Sequence, residues 1–148
     1  MALQLIRRPN RAPAGALPGL RALKLQCNTF GPAGAAALGA CVRRGALRGL
    51  QQLCLNDNPL GDVEGFWAAL RAGSMPCLVQ LYWYSAGLGD AGLAALAQAL
   101  GAGALPALKD LFLQENAFGD VGLEVRPLPA YCLHPLPEPH PAHRPQRA

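Results

Sequence analysis

Five cysteines and three histidines are the residues of this 148-residue sequence best suited to metal or nucleophilic chemistry. The cysteines stand at 27, 41, 54, 77 and 132, and none forms a C-x₂-C pair. A zinc site needs a convergent tetrahedral set, which this spacing does not supply. His134, His140 and His143 lie among prolines that fix no ligand geometry. The rest of the chain has no histidine to act as a base near neutral pH, so no Ser-His-Asp triad can be assembled. No Gly-Lys-Ser/Thr loop is present to cradle a phosphate. The sequence therefore predicts no catalytic residue, no metal ligand and no cofactor. Its remaining chemistry is recognition. Tyr82, Tyr84 and Phe112 are aromatic, and Asp57, Asp110 and Glu115 are acidic. They lie up to 58 positions apart, so a regular scaffold must gather them.

That scaffold is legible as a repeat. Four segments align, starting at Leu20, Leu50, Leu78 and Leu108, at separations of 30, 28 and 30 residues. Each reads L-x-x-L-x-L-x-x-N-x-L, with Phe30 and Phe118 closing the first and fourth copies. The third copy departs twice, with Trp83 for the third leucine and Ala86 for the asparagine. Leucines two apart, such as Leu23 and Leu25, point to one side of a short strand and into a core. Trp83 points the same way and is expected in that core. The asparagines at 28, 58 and 116 fall where the chain leaves the strand. Their amides are expected to pair with buried backbone groups of the turn. Ala86 cannot do this, so its turn is held less well or a neighbour substitutes.

The second half of each repeat reads as a helix. Gly61-Asp62, Gly89-Asp90 and Gly119-Asp120 recur after the turn, and aspartate suits the N-cap of the helix that follows. Pro32 suits the start of the first helix. Ala35, Leu38 and Val42, and Leu93, Leu96 and Leu100, fall on single helical faces. The second copy is two residues shorter and its Phe66 and Leu70 are displaced, which predicts a rotated helix with Trp67 partly buried.

A strand and a helix in about 28–30 residues resembles the ribonuclease-inhibitor type of leucine-rich repeat. The same repeats occur in ribonuclease inhibitor, the Ran GTPase-activating protein and NOD-like receptors. The resemblance covers residues 20–125. It implies an α/β solenoid of about four repeats, a short horseshoe arc with a concave parallel sheet and convex helices. Residues 1–19 read as an irregular segment. Residues 126–148 hold seven prolines and are expected to be a disordered tail. The break at Arg126-Pro127 suggests a fragment of a longer repeat protein. Arg126-Pro127-Leu128-Pro129 resembles the opening of a proline-rich ligand, but Cys132 stands where a second spaced proline is wanted.

Charge narrows the partner. The net +4 comes from the two ends; residues 20–125 carry seven basic and eight acidic side chains. No basic patch with interleaved aromatics exists, so nucleic acid is not an expected partner. No apolar run reaches the ~18–20 residues of a membrane span. With arginines following a short apolar stretch, the N-terminus does not read as a signal peptide. Odd, unpaired cysteines then suggest reduced thiols and a cytoplasmic setting.

In the strand reading, Lys24, Cys54, Tyr82 and Phe112 form one outward row. Gln26, Asn56, Tyr84 and Gln114 form the next. Asp57 and Glu115 lie at the strand exits, and Asp110 at an entrance. The aromatics therefore meet on adjacent strands with acids around them. The expected function is binding of a protein partner with basic groups on the concave face. The alternative that the resemblance implies is a scaffold like the Ran GTPase-activating protein.

Overall fold

The computed structural model describes residue 17, residues 19–72 and residues 75–119. Expectations for residues 1–16 and 120–148 lie outside the described residues, including Asp120, the fourth helix and the proline-rich tail. Among the described residues, strands and helices alternate: β1 (Ala22–Lys24), α1 (Pro32–Arg43), β2 (Gln52–Cys54), α2 (Glu64–Arg71), β3 (Gln80–Tyr82), α3 (Asp90–Gly101) and β4 (Asp110–Phe112). The strands make one parallel sheet in the order β1-β2-β3-β4.

The repeat spacing sets the register. Leu23, Leu53, Leu81 and Leu111 stand side by side across the four strands. Leu53, Leu81 and Leu111 are fully buried, and Leu23 packs against the same core. Ala35, Leu38 and Val42 of α1 supply the core from the helical side, with Pro32 opening that helix as expected. In α3 the buried residues are Gly92, Leu93, Leu96 and Ala99, with Leu100 partly buried. Shortening of the second copy falls on α2, which has 8 residues against 12 in α1 and α3. Its Trp67 is fully buried, not partly, and its ring centroid lies 4.5 Å from that of Trp83.

The asparagines bond as the pattern requires, and they also join neighbouring repeats. Asn58 Oδ1 accepts from the N–H groups of Asn28 and Phe30, each at 3.1 Å. Its Nδ2 donates to the carbonyls of Leu25, Leu55 and Asn56. Asn116 Oδ1 likewise accepts from Ala86 and Leu88, and its Nδ2 donates to Trp83 and Leu113. Asn58 and Asn116 thus each satisfy their own turn and the one before it. Where Ala86 interrupts the series, its backbone carbonyl takes the N–H groups of Leu60 and Gly61 at 3.1 and 3.0 Å. The substitute is the alanine's own main chain.

The aspartates correct the sequence reading. The N-caps of α1, α2 and α3 are Gly31, Val63 and Gly89, and none makes a side-chain capping bond. The carboxylates act one repeat further on. Asp62 Oδ1 accepts from Gly89 N–H at 2.6 Å and Gly92 N–H at 3.1 Å, the N-cap and third amides of α3. Asp90 Oδ1 takes Gly119 N–H in the same way. A Cβ at position 92 would stand 2.7 Å from Asp62 Oδ1, so the cap needs glycine there.

Asp62→Ala is expected to cost about 1–2 kcal/mol, the usual effect of removing an N-cap acceptor. Native-state hydrogen exchange at the Gly92 amide checks it. Equal protection in variant and wild type would show that the carboxylate does not hold the helix start.

Candidate functional site

The sheet face turned away from the core carries the predicted recognition residues. The register sets Lys24, Cys54, Tyr82 and Phe112 in one row, and Gln52, Gln80 and Asp110 in another. The second row is a directional ladder: Gln52 Nε2 donates to Gln80 Oε1 at 3.1 Å, and Gln80 Nε2 to Asp110 Oδ2 at 3.0 Å. Asp110 is therefore held by its neighbours on the sheet.

Tyr82 and Phe112 stack with ring centroids 4.4 Å apart and planes 13° apart. Phe112 lies in the outward row that the alternation predicts for a binding face, but its ring is not open. It is only 6% exposed, so it serves as the base of the stack. Tyr82 and Tyr84 are half-buried and keep accessible surface. Burial pushes the Tyr82 phenol above the ordinary tyrosine range, and a hydrogen bond with Gln52 opposes that rise. Burial, and then the charge of Asp57, also raises Tyr84, with Glu115 adding to it. Both phenols are consequently neutral donors at physiological pH.

The strand exits place the other acids. Cys27, Asp57, Ser85 and Glu115 all have positive φ, between 48° and 56°. Non-glycine residues seldom adopt this region. Here the N–H groups of Cys27, Asp57 and Ser85 donate to the carbonyls of Asn56, Tyr84 and Gln114, which holds the bend across each pair of strands. Asp57 Oδ2 accepts from Asn56 Nδ2 at 2.7 Å and from the Cys27 thiol at 3.7 Å. Glu115 Oε2 accepts from Ser85 Oγ at 2.6 Å. Both carboxylates stay exposed. Desolvation, with the Asp57 charge and its hydrogen bond behind it, raises the Cys27 thiol.

Sequence spacing found the row members and missed three features. These are the glutamine ladder, the left-handed exits and the cover over Phe112. The glutamines at 52 and 80 were visible at the strand entrances. Only Asp57 is of a type enriched at positive φ; Cys27, Ser85 and Glu115 are not, so composition does not mark the exits as a series. Among the described residues, no group of three His, Cys, Asp or Glu could hold a metal ion. No helix among them is long and apolar enough to cross a membrane.

Comparison with known families agrees with this architecture. Residues 18–39 match the family model described as Leucine Rich repeat. The match supports a leucine-rich repeat protein. No curated protein matched the chain. Leucine-rich repeats generally mediate protein–protein interaction and typically carry no catalysis of their own.

Proposed function

We propose that this leucine-rich repeat chain binds a protein partner on the open face of its sheet, without catalysis of its own. The repeat would be of ribonuclease-inhibitor type, with that face on the concave side of a short horseshoe. The observation that carries the reading is the Tyr82–Phe112 stack at 4.4 Å, with Tyr84 in the neighbouring row. Stacking makes the tyrosine surface rigid, so little side-chain freedom is lost on contact. Asp57, Asp110 and Glu115 surround it and favour a partner with basic groups. Cys27, Cys41, Cys54 and Cys77 are free thiols, which suits a reducing, cytoplasmic setting.

The double substitution Tyr82→Ala/Tyr84→Ala tests the reading. The partner is first captured by cross-linking to the wild-type chain, and its affinity is then measured by titration. The variant is expected to bind more weakly by over ~1 kcal/mol, with its far-UV spectrum unchanged. Affinity should also fall as salt screens the acids. A variant that binds like wild type would remove the sheet face as the binding surface.

A further inference from the structure

A cavity of about 450 Å³ opens between α2 and α3, in the helical layer and apart from the sheet face. Local packing explains it. The short helix α2 lies hard against α1, where a Cβ at Gly39 would stand 3.2 Å from both the Gly65 carbonyl and Phe66 Cα. Only glycine allows two backbones so near. On its other side α2 faces Ala94 and Ala95 of α3, whose single methyl groups leave the gap unfilled. The volume falls within the range of small-ligand sites, about 300–1,000 Å³.

The cavity has an apolar middle and two polar ends of opposite charge. Val63, Ala94 and Ala95 are half-buried and line the middle. Asp62 and Glu64 stand at the N-terminal end of α2, and Arg71 at its C-terminal end. Each end is bridged to α3. Asp62 Oδ1 accepts from Gly89 and Gly92 N–H, and Arg71 Nη1 donates to Gln98 Oε1 at 3.2 Å. These bonds hold a carboxylate at one rim and a guanidinium at the other. A guanidinium has five N–H donors, so the bond to Gln98 leaves a fork for a carboxylate. Glu64 and Arg71 open and close α2, about 10 Å apart along the helix axis.

We infer that this cavity binds an ω-amino carboxylate, an ammonium group and a carboxylate joined by an apolar stem. Charge complementarity identifies the ligand. Its ammonium faces Asp62 and Glu64, its carboxylate meets Arg71, and its methylenes cover Val63, Ala94 and Ala95. A molecule with one charge leaves one end of the cavity unmatched. A zwitterion with a short stem reaches only one end at a time. The chemistry has two sources. One is a free small molecule, and the other is a polypeptide ending in lysine, whose side-chain amine and terminal carboxylate are separated by the same stem as in 6-aminohexanoate.

Titration of the full chain with 6-aminohexanoate, followed by NMR, tests this. Saturable shifts are expected at the methyl groups of Val63, Ala94 and Ala95, with a Kd of about 1 mM for a ligand of so few atoms. Hexylamine, hexanoate and 4-aminobutanoate should each bind about fivefold more weakly, the first two for a lost charge contact and the third for lost apolar contact. Arg71→Glu should weaken 6-aminohexanoate by a similar factor and favour 1,6-diaminohexane instead. A peptide ending in lysine separates the sources. Binding of the free acid and not of its C-terminal amide assigns the site to a polypeptide end. Failure of the peptide where 6-aminohexanoate binds assigns it to a free small molecule. No saturable shift, or shifts confined to Tyr82 and Tyr84, overturns the inference. So does hexylamine binding as tightly as 6-aminohexanoate, or a ligand preference that Arg71→Glu leaves unchanged. If that variant does not fold, the comparison of 6-aminohexanoate with hexylamine and hexanoate on the wild type decides.

Discussion

Trp83→Ala is expected to remove about 3–5 kcal/mol of stability, the cost of deleting a large ring from a packed core. Total stability of such a domain is about 5–15 kcal/mol, so much of it would go. Trp83 is fully buried, and its ring meets Trp67 at 4.5 Å and Phe66 at 5.1 Å. The two tryptophans belong to different repeats, so the truncation opens a void between β3 and α2. Trp83→Leu restores the residue that the other three copies carry at this position. It is expected to cost roughly half as much, since the void is smaller. The indole N–H of Trp83 has no acceptor among the described residues, so its removal offsets part of the loss. Urea unfolding followed by far-UV circular dichroism gives both values. A loss under ~1 kcal/mol for the alanine variant would mean that the ring is not packed as described.

This cluster also shows how far the sequence could be read. Period-two alternation across the four copies leaves Trp83 no side but the inward one. The same alternation placed Tyr82 and Tyr84 outward. Two anomalies remained separate in the sequence: a tryptophan where leucine belongs, and a second copy two residues short. In the fold they meet. The short α2 brings Trp67 and Phe66 over β3, where Trp83 fills the space beneath them. The sequence does not show that contact, because the partners sit in different repeats and at different positions within them.

The errors have the same origin. A local reading assigns Asp62 to the helix that follows it, since an N-cap is a short-range device. The carboxylate instead reaches Gly89 and Gly92, 27 and 30 residues on. Alternation sets Phe112 outward, but it gives a direction and says nothing of cover. Tyr82 lies over it, from the same position of the previous strand. In a stacked repeat the neighbour at a distance of one repeat is often nearer than the neighbour at a distance of four. Patterns within one copy therefore fix orientation, and contacts between copies decide exposure and hydrogen bonding.

Asn58→Ala is expected to cost about 2–4 kcal/mol, and the neighbouring Pro59 determines whether the damage can be repaired. Asn58 is 2% exposed and its amide bridges two turns. Its loss leaves the N–H groups of Asn28 and Phe30 and the carbonyl of Leu55 without the partner it supplied. The other two carbonyls keep a bond: Leu25 from Asn28 Nδ2, and Asn56 from Cys27 N–H. Each stranded buried group costs about 1–3 kcal/mol, less where water can reach it. The chain already contains a turn without the asparagine, at Ala86, whose carbonyl takes the amides of Leu60 and Gly61. That turn continues into Gly87 at φ +74°. Proline is locked near −65°, so Pro59 cannot follow the same path. Pro59→Gly alone should destabilise slightly, by about 0.4–1 kcal/mol, because it loosens the unfolded chain. Combined with Asn58→Ala it should recover about 1 kcal/mol of the loss, a coupling that a double-mutant cycle isolates. Strict additivity of the two changes would show that Gly87 is not what makes Ala86 tolerable. A favourable coupling would show that alanine in the asparagine position requires glycine after it, as the third copy has and the second lacks.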